Sequence, residues 1–173
     1  AFDFRNQERS ICEKDDMTPM LNESAEIQEM GTPIGIWKIN GGMGGMCSGT
    51  LISKDLFLTA AHCYSSCNEV AVTFGYLKNG RRTEEKFACK EIVEKGDDNN
   101  LGDDFLIVRL EGNPGVNLGW YDVSAKNLKK GDQLMMIHRA SRFILAVLLV
   151  VAAEPMREAL IQVARRLAED APR

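Results

Sequence analysis

The 173-residue chain has room for one ordinary domain, or one domain and part of another. Its hydrophobic share of 45% and charged share of 27% are those of a globular protein. The net charge of −4 and the lack of any Lys/Arg block exclude a phosphate-tracking surface, so nucleic acid is not expected as a partner.

Residues 1–30 are polar and show no sustained period, and read as an N-terminal extension or a pro-segment-like region. From Ile34 the texture changes to short apolar or alternating runs of strand length at 34–39, 47–52, 57–60, 69–74, 86–93 and 105–110. Turn signals separate them: Asn40-Gly41-Gly42, Lys78-Asn79-Gly80, the stretch 96–100, and Gly112-Asn113-Pro114-Gly115. Short strands without a convincing helix predict a mostly β fold, a barrel or a sandwich. A further strand is expected at 132–137, after Lys129-Lys130-Gly131.

Residues 142–173 read differently. The apolar run 143–153 is shorter than the ~20 residues a membrane-crossing helix needs, so membrane attachment is not expected. Pro155 then opens a segment with Met156, Leu160, Val163, Ala164 and Leu167 on one helical face and charges elsewhere. The pattern predicts an appended amphipathic helix. It suggests a junction near 139–142, from a fusion, a frameshift or a misread gene end.

Cys12, Cys47, Cys63, Cys67 and Cys89 lack the spacing with companion histidines that zinc requires, and the two histidines are His62 and His138. No metal or other cofactor is expected. Disulfides are the better reading, and they imply an oxidising compartment, so the chain is expected to be secreted or periplasmic. An odd number leaves one cysteine over. The chain starts at Ala1 with neither Met nor a basic-then-apolar leader, so it reads as a processed form or a fragment.

The strongest signal is Cys47-Ser48-Gly49-Thr50-Leu51-Ile52 followed by Phe57-Leu58-Thr59-Ala60-Ala61-His62-Cys63. A lone histidine is ordinarily a surface or satisfied core residue. This one stands in a pattern that resembles the histidine motif of the trypsin/chymotrypsin-like serine protease superfamily. The resemblance implies a six-stranded antiparallel barrel over 31–120, the start of a second barrel over 121–141, and His62 as general base. It also implies a Cys47–Cys63 bridge beside that histidine, with Cys67–Cys89 a plausible second pair and Cys12 left over. Such a bridge closes a loop of about 15 residues, worth roughly 3 kcal/mol.

Asp104-Phe105-Leu106-Ile107-Val108-Arg109-Leu110 resembles the aspartate motif of the same superfamily and follows His62 in the required order. Asp104 would hold the imidazole tautomer. Its neighbour Asp103 competes for that role, and a polar turn before a strand is the plain alternative. Leu106 departs from the small residue usual there. Residues 11–19, with Asp15-Asp16, the stretch 32–36, and 131–138 ending in His138 resemble glutamyl-endopeptidase-like bacterial members. Arg139 ends the likeness. His138 reads as a strand-end surface residue.

The nucleophile motif Gly-Asp-Ser-Gly-Gly does not occur. Ser48-Gly49 belongs to the strand before His62 and reads as structural. The expectation is therefore a serine endopeptidase by family, acting on protein or peptide substrates, whose 173-residue chain is inactive by itself. The alternative is a non-catalytic pseudoprotease that keeps the barrel as a binding surface, against which the retained His62 and Asp104 argue.

Overall fold

In the computed structural model, the structure describes residues 22–39, 46–63, 66–75, 77–78, 81–82, 84–96, 103–123 and Ile137. Cys12, the dipeptide Asp15-Asp16, His138, nearly all of the expected second-barrel segment and the tail 142–173 lie outside them.

Six strands close into an antiparallel barrel: β1 (Ile34–Ile39), β2 (Met46–Leu51), β3 (Leu56–Thr59), β4 (Val70–Phe74), β7 (Glu85–Lys95) and β8 (Leu106–Leu110). The order around it is β1-β2-β3-β8-β7-β4, and β4 pairs with β1 to complete the ring. The mostly β fold expected from the short runs is thus present, and it takes the form of the six-stranded antiparallel barrel that the resemblance implied. The Asn79-Gly80 signal lies between two short paired strands, β5 (Leu77–Lys78) and β6 (Arg81–Arg82).

The inward residues of the alternating strands build one core, with Trp37, Leu51, Phe57, Val72, Phe74, Leu106 and Val108 all at 0% exposure. Each such side chain contributes about 1.5–3 kcal/mol by leaving water. Trp37 stacks on Phe57, and Phe57 meets Phe74 edge-on at 5.8 Å. Space for these rings comes from two facing glycines, Gly35 and Gly49, paired across β1 and β2. A Cβ on Gly49 would stand 2.5 Å from the Phe57 ring and 2.4 Å from the Leu58 carbonyl oxygen. Gly49 of the Cys-Ser-Gly signal is therefore a packing requirement for the strand that delivers His62.

Leu106, the departure from the small residue usual in the aspartate motif, is fully buried in this core and paired with Thr59. β7 is longer than the 86–93 run. It pairs with β4 through 85–88 and with β8 through 89–95, and register shifts lie between Cys89 and Glu91 and between Ile92 and Glu94. Such irregularities bend a strand, which lets one strand serve two sides of a closed barrel.

Two short helices escape the sequence reading. α1 (Ala25–Met30) starts where Ser24 Oγ accepts from the Ile27 N–H. At six residues it is too short for a 3.6-residue period to stand out. α2 (Gly115–Leu118) grows out of the expected Gly112-Asn113-Pro114-Gly115 turn, in which Gly112 and Asn113 have positive φ. The segment after α2 returns to α1: the Thr32 hydroxyl donates to the Leu118 carbonyl (2.7 Å), and the Tyr121 hydroxyl donates to the Met30 carbonyl. Among the described residues no helix is long and apolar enough to cross a membrane.

Candidate active site

β3 delivers His62. Where the strand leaves the barrel, the buried Thr59 hydroxyl donates to the Ser48 carbonyl (2.9 Å), tying the strand end to β2. Ala60 and Ala61 lead into a single 3-10 turn over Ala61–Cys63, closed by the Cys63 N–H on the Ala60 carbonyl (3.2 Å). Cys63 is bridged to Cys47 on β2, with the two Cα atoms 6.3 Å apart. The backbone of His62 is thus held on both sides while its side chain is 61% exposed.

The entry to β8 supplies the carboxylate. The Gly96 N–H, just past β7, donates to the Phe105 carbonyl (2.9 Å), and the Phe105 N–H donates to the Asp103 carbonyl (3.0 Å). These bonds fix the chain around Asp104, whose side chain is 29% exposed. Asp104 Oδ2 lies 2.6 Å from His62 Nδ1, and Asp104 Oδ1 accepts from the His62 backbone N–H at 2.9 Å. Of the two neighbouring aspartates, Asp104 is the one that meets the imidazole. One carboxylate therefore grips one residue at two points.

The chemistry follows from the acceptor. A carboxylate can only accept, so the proton in the 2.6 Å contact resides on Nδ1. Nε2 is then the unprotonated nitrogen of the neutral ring, on a side chain open to solvent. An imidazole with its tautomer set by a partner and its second nitrogen open to solvent has the geometry that base chemistry requires.

The other sequence-selected residues fall as follows. Cys67 and Cys89 form a second disulfide, joining the turn before β4 to β7. Ser48 is buried in β2. Cys47, His62 and Cys63 come close enough to suggest a metal site, but both sulfurs are held in the disulfide and offer no thiolate.

A further cluster of charges, without a motif in the sequence, joins β7 and β8 to the residue before β3. Arg109 Nη1 pairs with the buried Asp55 at 2.6 Å and its Nε with Glu91 at 2.7 Å. Hydrogen bonds that the guanidinium donates to Glu91 and to Asp55 raise its pKa above the ordinary value. A charged residue within the apolar 105–110 run was the available signal.

The trypsin family model matches residues 26–140, well over half of the chain. A closed antiparallel barrel with a histidine–carboxylate pair at one end fits that match. The chain belongs to the trypsin family. It is 34% identical over 79 residues to neutrophil elastase of Mus musculus, a stretch that covers 43% of this chain and 30% of the elastase. It is 35% identical over 71 residues to chymotrypsin of Phaedon cochleariae, covering 39% of this chain and 26% of the chymotrypsin. The chain thus spans less than a third of the length of these curated relatives.

Proposed function

We propose that this chain supplies the base and its orienting acid for a serine endopeptidase. His62 takes the proton of a serine nucleophile on Nε2 as that oxygen attacks the peptide carbonyl, then returns it to the leaving amine. Asp104 keeps Nδ1 protonated and stabilises the imidazolium between the two transfers. The observation that carries the reading is the two-point hold of Asp104 on His62. Family membership supports protein or peptide substrates, and the two disulfides support a secreted or periplasmic location.

The 173 residues do not include Gly-Asp-Ser-Gly-Gly, so the chain by itself has a base without an activated nucleophile. We infer that it is inactive alone and that the proteolytic unit needs a serine-bearing segment as well. The segment 121–141 would begin the second barrel, and 142–173 would be a foreign tail. The likeness to glutamyl-endopeptidase-like members rests on 11–19, 32–36 and 131–138, and of these only 32–36 and Ile137 are among the described residues.

Two measurements test the proposal. Incubation of the chain with a fluorophosphonate probe should give no labelled serine, and covalent labelling would overturn the inactivity. Reading the coding sequence beyond codon 139 in all three frames should reveal Gly-Asp-Ser-Gly-Gly. Its absence would remove the truncated-protease reading and leave the pseudoprotease.

A further inference from the structure

His62 and Asp104 are far apart in the chain and meet because of one strand pair. β3 and β8 run antiparallel in the register Leu56↔Arg109, Phe57↔Val108, Leu58↔Ile107, Thr59↔Leu106. His62 lies three residues beyond one end of that pair and Asp104 two residues before it. A slip of one residue would move one against the other by about 3.3 Å. A hydrogen bond tolerates stretching by only about half an ångström, so a slip of that size breaks the 2.6 Å Nδ1–Oδ2 contact.

Register is ordinarily specified because a slip turns apolar side chains to water. Here that safeguard is weak. Phe57, Leu106 and Val108 lie in the barrel core, while Leu56, Leu58, Phe105 and Ile107 form a second buried cluster. With both faces of the pair apolar except at Arg109, a slip mostly exchanges one hydrophobic residue for another. On its other side β8 pairs with β7 in a register interrupted by two shifts, and that pairing does not touch β3.

The polar contacts at the far end of the pair do specify it. Asp55 immediately precedes β3, and its carboxylate takes Arg109 Nη1 at 2.6 Å. Asp55 is itself fixed: its carbonyl accepts from the Leu110 N–H (2.8 Å), and its carboxylate accepts from the Ser53 hydroxyl (3.2 Å). The ion pair is mostly buried, with side-chain exposures of 25% for Arg109 and 11% for Asp55. Slipping the strands would separate two charges in a place where water reaches them poorly, which is costly.

We propose that Arg109 is a positioning residue, which through Asp55 selects the β3–β8 register that brings His62 to Asp104. The inference rests on the roles given to those two residues under Proposed function. Its test reads geometry and not hydrolysis, so the two can fail separately. In the full chain, side-chain 15N–1H spectra are assigned for the histidines, of which there are two. The wild type should show a strongly deshielded proton on His62 Nδ1.

The double variant Asp55→Leu/Arg109→Met removes both charges and leaves neither one buried alone, so the barrel should fold. The deshielded signal should be lost, with both His62 tautomers populated. Arg109→Lys should retain the signal, and Glu91→Gln, which spares the β3 contact, should leave it unchanged. A folded double variant with the signal at wild-type intensity would overturn the proposal. Loss of the signal in Glu91→Gln equal to that in the double variant would also overturn it. If the double variant does not fold, Asp55→Asn decides: a weakened signal supports the proposal and an undiminished one overturns it.

Discussion

Asp104 holds His62 by its ring and by its backbone at once, with Oδ2 on Nδ1 at 2.6 Å and Oδ1 on the main-chain N–H at 2.9 Å. The second bond fixes where the residue sits, and the first fixes how its ring is turned and protonated. Replacing Asp104 by Asn separates the two effects. The amide oxygen can still accept from the backbone, while its NH2 group turns to Nδ1 and forces the proton to Nε2. We expect Asp104→Asn to invert the His62 tautomer in 15N spectra with little change in melting temperature. In a completed triad the corresponding change costs roughly 10⁴-fold in turnover. An unchanged tautomer would remove Asp104 from its proposed role.

The Cys47–Cys63 bridge closes the β2–β3 hairpin beside His62, with a sequence separation of 16. Replacing both cysteines by alanine frees that loop in the unfolded chain and should destabilise the barrel by about 3 kcal/mol. For a domain of this size the melting temperature should fall by roughly 10–20 °C. Calorimetry checks the magnitude. A fall of only a few degrees would mean that the barrel strands alone pin the hairpin.

Gly96 stands where the end of β7 meets the segment carrying Asp104. A Cβ there would fall 1.9 Å from the Asp103 carbonyl oxygen and 2.8 Å from the Phe105 ring. The carbonyl belongs to the backbone and cannot rotate aside, so Gly96→Ala must displace the chain next to Asp104. We expect a loss of about 1–3 kcal/mol in denaturant unfolding. The deshielded His62 signal should weaken as well. Stability lost with the signal intact would show that the displacement is absorbed before it reaches Asp104.

Tyr121 ties the segment after α2 to α1 through its hydroxyl on the Met30 carbonyl. Burial raises its pKa above the ordinary value of 10.0. As pH climbs past that value, the unfolded chain loses the phenolic proton first and then binds fewer protons than the folded one. Stability must fall with rising pH in that range, and stay flat with respect to this group below it. Melting temperatures measured between neutral pH and about pH 11 should show the decline, and Tyr121→Phe should lack that part of it. An identical decline in the Phe variant would assign it to other groups.

Much of the barrel was legible because alternation and turn chemistry are local. The runs at 34–39, 47–52 and 105–110 fall within a residue or so of β1, β2 and β8. β7 ran past its expected ends, because Glu85 and Lys95 are exposed ends of a strand bent around the barrel, where apolar spacing carries no signal. α1 was missed for want of a full helical repeat, although Ser24 was present to cap it.

The sequence by itself determined which groups are available: a histidine in a run of small residues, an aspartate before an apolar strand, and cysteines flanking the first. It also determined the family, through the motif around His62. Only the tertiary structure decided that Asp104 grips His62 at two points. The same is true of Asp55 and Arg109, which meet at the far end of the strand pair, and of Gly96, which must lack a side chain. The physical reason is that these contacts join residues brought together by barrel closure. Local spacing specifies strands and turns, while a hydrogen bond of 2.6 Å depends on the register in which distant strands finally pair.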